Sequence, residues 1–140
     1  MNNKREYIDI ISCHIIYLTS VNINKSFETF EKNYIDYYKL DIGYKNLYFN
    51  LSAYVLFSKL MDKGIKQITI NLPIDSPIYK DYEYDVVELK KYFKEITYKL
   101  IDILEVKESN EEVYKHIESI LTNKRCFVKN YILNIKKLWD

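Results

Sequence analysis

Two glycines, Gly43 and Gly64, and two prolines, Pro73 and Pro77, in 140 residues leave this chain few places to reverse direction tightly. Two-residue hairpin turns need positive φ at their central positions and draw heavily on glycine, so a sandwich or barrel made of many hairpins is a poor fit. Helices ask for special backbone only at their ends. A chain of this length buries roughly 70% of its unfolded surface, and 48% hydrophobic with 29% charged residues is globular composition. No linker-like stretch, internal repeat or low-complexity block divides the chain. The expected fold is therefore mainly α, a single domain over residues 1–140 with five or six helices and room for a minor strand at 66–72.

Local signals place the elements. Tyr7 to Leu18 carries Ile8, Ile11, Ile15 and Leu18 at helical spacing, yet its β-branched and aromatic content also suits a buried strand, and both readings stand. Asp9 and His14 interrupt its apolar run and no small-residue cleavage site follows, so it reads as folded structure rather than a leader. Asn24 or Ser26 caps a second helix carrying Phe27, Phe30, Tyr34 and Tyr38. A third runs from about Tyr44 to Lys63 with Leu47, Leu51, Tyr54, Val55 and Met61 inward, and Gly64 ends it in a left-handed cap on which Ile65 packs back. Lys66 to Leu72 then alternates, with Ile68, Ile70 and Leu72 on one side and Gln67, Thr69 and Asn71 on the other. A lone strand leaves its backbone unpaired, so this one is expected to pair with Tyr7 to Leu18 or with another chain.

The second half reads as three helices. Asp85 and Glu88 form a capping box, after which Val86, Leu89, Phe93, Ile96, Leu100 and Ile103 trace one stripe. That stripe is read as core, with a homodimer seam as the alternative. Ser109 and Glu112 make a second capping box before Val113, Ile117, Ile120 and Leu121, and a last helix carries Val128, Ile132, Ile135 and Trp139.

The sequence offers little catalytic chemistry. No P-loop or Gly-x-Gly phosphate cradle is present, and Ser12-Cys13-His14 lacks the facing geometry of a nucleophile and its base. Cys13, His14, His116 and Cys126 have the side chains of a zinc site without zinc-ligand spacing, so no metal or cofactor is expected. Two cysteines without a disulfide framework suggest reduced thiols in the cytoplasm. No apolar run approaches the roughly 18 residues of a membrane span. A formal charge of +1 lacks the broad positive field of a non-specific nucleic-acid binder.

Ile, Lys, Tyr and Asn supply 66 of the 140 residues and alanine occurs once, at Ala53. Their codons are rich in A and T, so an AT-rich genome, bacterial, phage or large-DNA-viral, accounts for part of the tyrosine excess. One stretch rises above that background. From Ile78 to Asp85, aromatic rings alternate with charged groups, and Tyr79, Asp81, Tyr82, Glu83 and Tyr84 are the candidate partner-binding residues. Tyrosine is enriched at protein interfaces, and carboxylates beside it complement a basic partner. The competing account is a solvated connection whose rings cover the core.

Three classes of function remain. The first is a non-enzymatic protein that binds and neutralises another protein, as immunity proteins, antitoxins and phage or viral anti-defence proteins do. The second is a viral helical bundle that inhibits apoptosis or signalling by taking an amphipathic helix in a groove. The usual Trp-Gly-Arg motif of such bundles is missing, since Gly43 precedes Tyr44 and Gly64 precedes Ile65. The third is a small enzyme or metal protein with a site assembled from scattered residues.

Overall fold

The ambiguous N-terminal segment is helical. In the computed structural model, which describes residues 4–39, 44–81 and 83–108, α1 spans Lys4–Val21. Its isoleucines give it a middling helix propensity, but Ile8, Ile15 and Ile16 are buried, and burial against neighbouring helices outweighs propensity. Two buried hydroxyls on α1 satisfy themselves locally, Ser12 Oγ donating to Ile8 O and Thr19 Oγ1 to Ile15 O, both at 2.7 Å.

A single residue separates α1 from α2 (Ile23–Tyr37). Asn22 breaks the helix at φ −157° and its side chain accepts the Lys25 N–H, so the N-cap is Asn22 rather than Asn24 or Ser26. Ser26 lies one turn further on, fully buried, where its Oγ bonds Ile15 O at 2.8 Å and meets Thr19 Oγ1 at 2.8 Å. That hydroxyl pair clamps the corner between α1 and α2.

α3 (Tyr44–Asp62) is the central helix, packed against both α1 and α4 (Val86–Glu108). Leu47, Phe49, Leu51, Ala53, Val55, Leu56, Phe57 and Leu60 are all buried, and this run covers every side of the helix, as expected for one enclosed by others. Tyr54 and Met61, expected inside, are only partly buried. Four phenylalanines lock α2, α3 and α4 together. Phe30 stacks on Phe49 (5.7 Å between centroids) and meets Phe57 and Phe93 edge-on at 5.4 and 5.7 Å, while Phe57 stacks on Phe93 at 5.6 Å.

Gly64 ends α3 as its sequence position suggests. At φ 81° it donates to Met61 O (2.9 Å) while Ile65 N–H reaches Leu60 O (3.0 Å), the paired bonds of a Schellman cap. Ile65 stays exposed rather than packing back on the last turn. A Cβ at Gly64 meets nothing within 4 Å, so Gly64→Ala isolates the backbone term. The expected cost is about 1–2 kcal/mol in urea unfolding, and an unchanged midpoint would show that the cap is not held in the left-handed region.

The strand is real and its partner differs from expectation. β1 (Gln67–Thr69) pairs antiparallel with β2 (Glu83–Asp85), in the register Gln67 to Asp85, Ile68 to Tyr84 and Thr69 to Glu83. Because α1 is helical, the alternating segment finds its pairing in the acidic, tyrosine-rich stretch instead. Asp85 then caps α4, its Oδ1 accepting the Val87 N–H at 2.8 Å. Glu88 does not close the box, because its carboxylate is taken by Lys80 Nζ. Along α4, Val86, Leu89, Phe93 and Thr97 are buried, whereas Ile96 and Leu100 are partly exposed.

The described residues thus hold four helices and one two-stranded sheet, mainly helical with fewer helices than the expected five or six. The two helices expected beyond Ser109 lie outside the described residues. No helix among the described residues is long and apolar enough to cross a membrane.

Candidate functional site

Between β1 and β2 the described residues 70–81 hold no helix or strand. Connections of this length inside a packed domain are uncommon and tend to be functional or loose. This one is tied down. Ile70 and Leu72 continue the alternation of β1 into the core. Two turns follow, closed by Ser76 N–H to Pro73 O and Tyr79 N–H to Ser76 O, both 3.0 Å, with Pro77 at the position of the second turn where its fixed φ is favourable.

α2 and the two residues that follow it supply the fastenings. Glu31 Oε2 accepts the Asn71 N–H at 2.7 Å, and the Tyr34 hydroxyl bonds the buried Ser76 Oγ at 2.7 Å. Tyr38 donates its hydroxyl hydrogen to Asp75 Oδ1, and Lys39 makes an ion pair with the other oxygen of that carboxylate. Tyr34 and Tyr38 stack at 5.0 Å, and Lys39 Nζ lies 5.4 Å from the centre of the Tyr38 ring. At the far end the Tyr84 hydroxyl both receives the Lys80 N–H (2.8 Å) and donates to Lys80 O.

These contacts shape the titration of the groups involved. Burial pushes the Tyr34 phenol far above its ordinary value, so it remains a neutral hydroxyl. Lys39, and after it Tyr38, hold the Asp75 carboxyl below the usual carboxylate range. A depressed folded-state pKa means that the Asp75 tie is complete above the unfolded value and is lost only as pH falls through the lower folded one. NMR titration of the Asp75 carboxyl carbon should show that depressed midpoint, and Lys39→Ala should return it towards 3.8, the ordinary value for aspartate.

The fastened connection carries an exposed apolar tip. Ile74 is 82% exposed, the most exposed large hydrophobic side chain among the described residues, and Tyr79 beside it is 39% exposed. Residues 74–88 hold five carboxylates against one lysine, a net charge of −4 in a chain whose total is +1. Lys39 neutralises Asp75 and Lys80 neutralises Glu88, while Asp81 and Glu83 are exposed and make no ion pair among the described residues. Two clefts of about 200 Å³ each flank the shared wall formed by Lys80 and Tyr84. Small-molecule sites occupy about 300–1,000 Å³, so each cleft matches one side chain better than a substrate.

Of the five candidate residues, Tyr79, Asp81 and Glu83 are on the surface, and Tyr82 lies outside the described residues. Tyr84 is 2% exposed, points into the core from the middle of β2 and fixes the connection from within. Ile74 was missed in the sequence. An isoleucine between two prolines, in Pro73-Ile74-Asp75-Ser76-Pro77, was the available signal. Cys13 and His14 adjoin on α1, with burial as the larger cause and Lys25 the lesser in lowering the His14 pKa. His116 and Cys126 lie outside the described residues, and no group of three potential metal ligands occurs among those described. No protein-family model, curated protein or solved structure matches this chain.

Proposed function

We propose that this chain is a non-enzymatic protein that binds and neutralises a partner protein, of the immunity, antitoxin or phage and viral anti-defence type, and that the β1–β2 connection is its contact surface. The observation that carries the reading is Ile74, held out at 82% exposure on a connection fastened to α2 and its C-terminal end by side chains of Glu31, Tyr34, Tyr38 and Lys39. A loop ordered in advance loses less entropy on binding than a mobile one. An exposed apolar tip bordered by Tyr79 and the unpaired carboxylates of Asp81 and Glu83 matches the pattern of an anchor with a charged rim. The partner in this proposal has a basic face, and the protein acts in the cytoplasm as one domain over residues 1–140 with five or six helices.

Affinity capture from the source cell, followed by binding kinetics on the captured protein, tests the proposal. Ile74→Asp should speed dissociation, with a loss of about 2 kcal/mol or more. Asp81→Lys combined with Glu83→Lys should slow association, most at low salt. Ile35→Asp, at another exposed isoleucine, on α2, is the control. Unchanged kinetics in both folded surface variants would move the interface elsewhere.

A further inference from the structure

The cleft on the Ile74 side of the connection is lined by Ile70, Leu72, Ile74, Tyr79, Asp81 and Tyr84, together with Asn71 and Lys80. Its charge balance depends on where Lys80 turns. The Lys80 ammonium is drawn to Glu88, a residue of the neighbouring cleft, so the carboxylate of Asp81 is left as the uncompensated charge at this one. Apart from the uncharged amide of Asn71, the remaining lining side chains are aliphatic and aromatic. We infer that this cleft receives one arginine side chain from the partner, its aliphatic stem along Ile74 and the Tyr79 ring and its guanidinium at Asp81, and that the Lys80–Glu88 pair keeps the position open.

This assignment rests on the proposed interface and names the chemistry of its partner. Charge complementarity selects the occupant: a cation meets Asp81 in a segment of net charge −4, whereas an acidic or purely apolar side chain would leave that carboxylate unpaired. Size limits it to a single side chain, since about 200 Å³ is below the range of small-molecule pockets. Arginine is favoured over lysine because its weakly hydrated planar group stacks on a tyrosine face while bonding a carboxylate. Glu88 acts here at a distance. It does not line the cleft, and its part is to hold the competing ammonium away.

Capped arginine, with acetyl and N-methylamide ends, is the probe, with capped norleucine as the uncharged comparison, each titrated into the full chain and followed by amide chemical shifts. Arginine should give saturable shifts at Leu72, Tyr79 and Asp81 that norleucine does not reproduce. Asp81→Asn should weaken arginine binding roughly two- to fivefold, the range of an exposed ion pair. Glu88→Gln should weaken it as well, because the released Lys80 can turn to Asp81, and the double variant Glu88→Gln with Lys80→Ala should restore it. That restoration separates competition by Lys80 from simple damage to the fold. Equal shifts with norleucine, or binding indifferent to Asp81→Asn, would overturn the inference while leaving the partner-binding test above untouched. Conversely, arginine binding that depends on Asp81, combined with partner kinetics indifferent to both surface variants, would keep the cleft and discard the interface.

Discussion

Replacing Phe93 with alanine is expected to lower the unfolding free energy by about 3–5 kcal/mol, measured by urea titration with linear extrapolation. The ring is 1% exposed and touches Phe30, Phe57, Tyr34 and Tyr92, so its loss opens a cavity where α2, α3 and α4 meet. The surrounding rings are held by one another and have little freedom to collapse into the space. Leu100→Ala, about two turns further along the same stripe of α4, should cost clearly less because Leu100 is only half-buried. Equal losses at the two positions would mean that α4 packs along its whole stripe rather than mainly through its first half.

Tyr84→Ala should be nearly as costly, about 3–5 kcal/mol, since it removes a large buried aromatic side chain. Tyr84→Phe separates ring from hydroxyl. The ring remains, while the Lys80 N–H and C=O lose their partner, and a penalty of about 1–3 kcal/mol is expected for those groups if water cannot reach them. Hydrogen exchange at Lys80 should accelerate in the phenylalanine variant. If Tyr84→Ala unfolds within about 1 kcal/mol of the parent chain, the residue is an external ring and the connection is held by α2 alone.

Much of the helical frame was legible in the sequence because its signals are local. Gly64 needs only its own φ and two neighbouring carbonyls to end α3, and Asp85 needs only the N–H groups of the next turn to open α4. The reading of α1 stayed open because isoleucine at helical spacing also fits a strand, and only burial against α2 and α3 decides between them. Ser26 misled for a related reason. A serine near a helix start has the chemistry of a cap, while its actual acceptor, Ile15 O, lies on another helix.

The candidate surface was half legible. Alternating rings and charges marked the segment, but alternation is also the signature of a strand. In β2 that period sends Tyr84 inward and Glu83 and Asp85 outward. The two prolines around Ile74 marked a turn, but its exposure at the tip depends on Glu31, Tyr34, Tyr38 and Lys39, all distant in sequence.

The ties that set the connection join residues 37, 40 and 42 apart in the chain. Contacts so distant close large loops, which places the ordering of this surface late in folding, after the local helices have formed. A synthetic peptide covering the connection would carry its side chains without their arrangement and should compete poorly with the intact protein. Thermodynamic linkage also runs the other way. A ligand that recognises only the ordered surface stabilises the entire folded chain, by about 2.7 kcal/mol at a concentration 100 times its Kd. Occupancy at the tip can therefore be read as a rise in the melting temperature of helices that the ligand never touches.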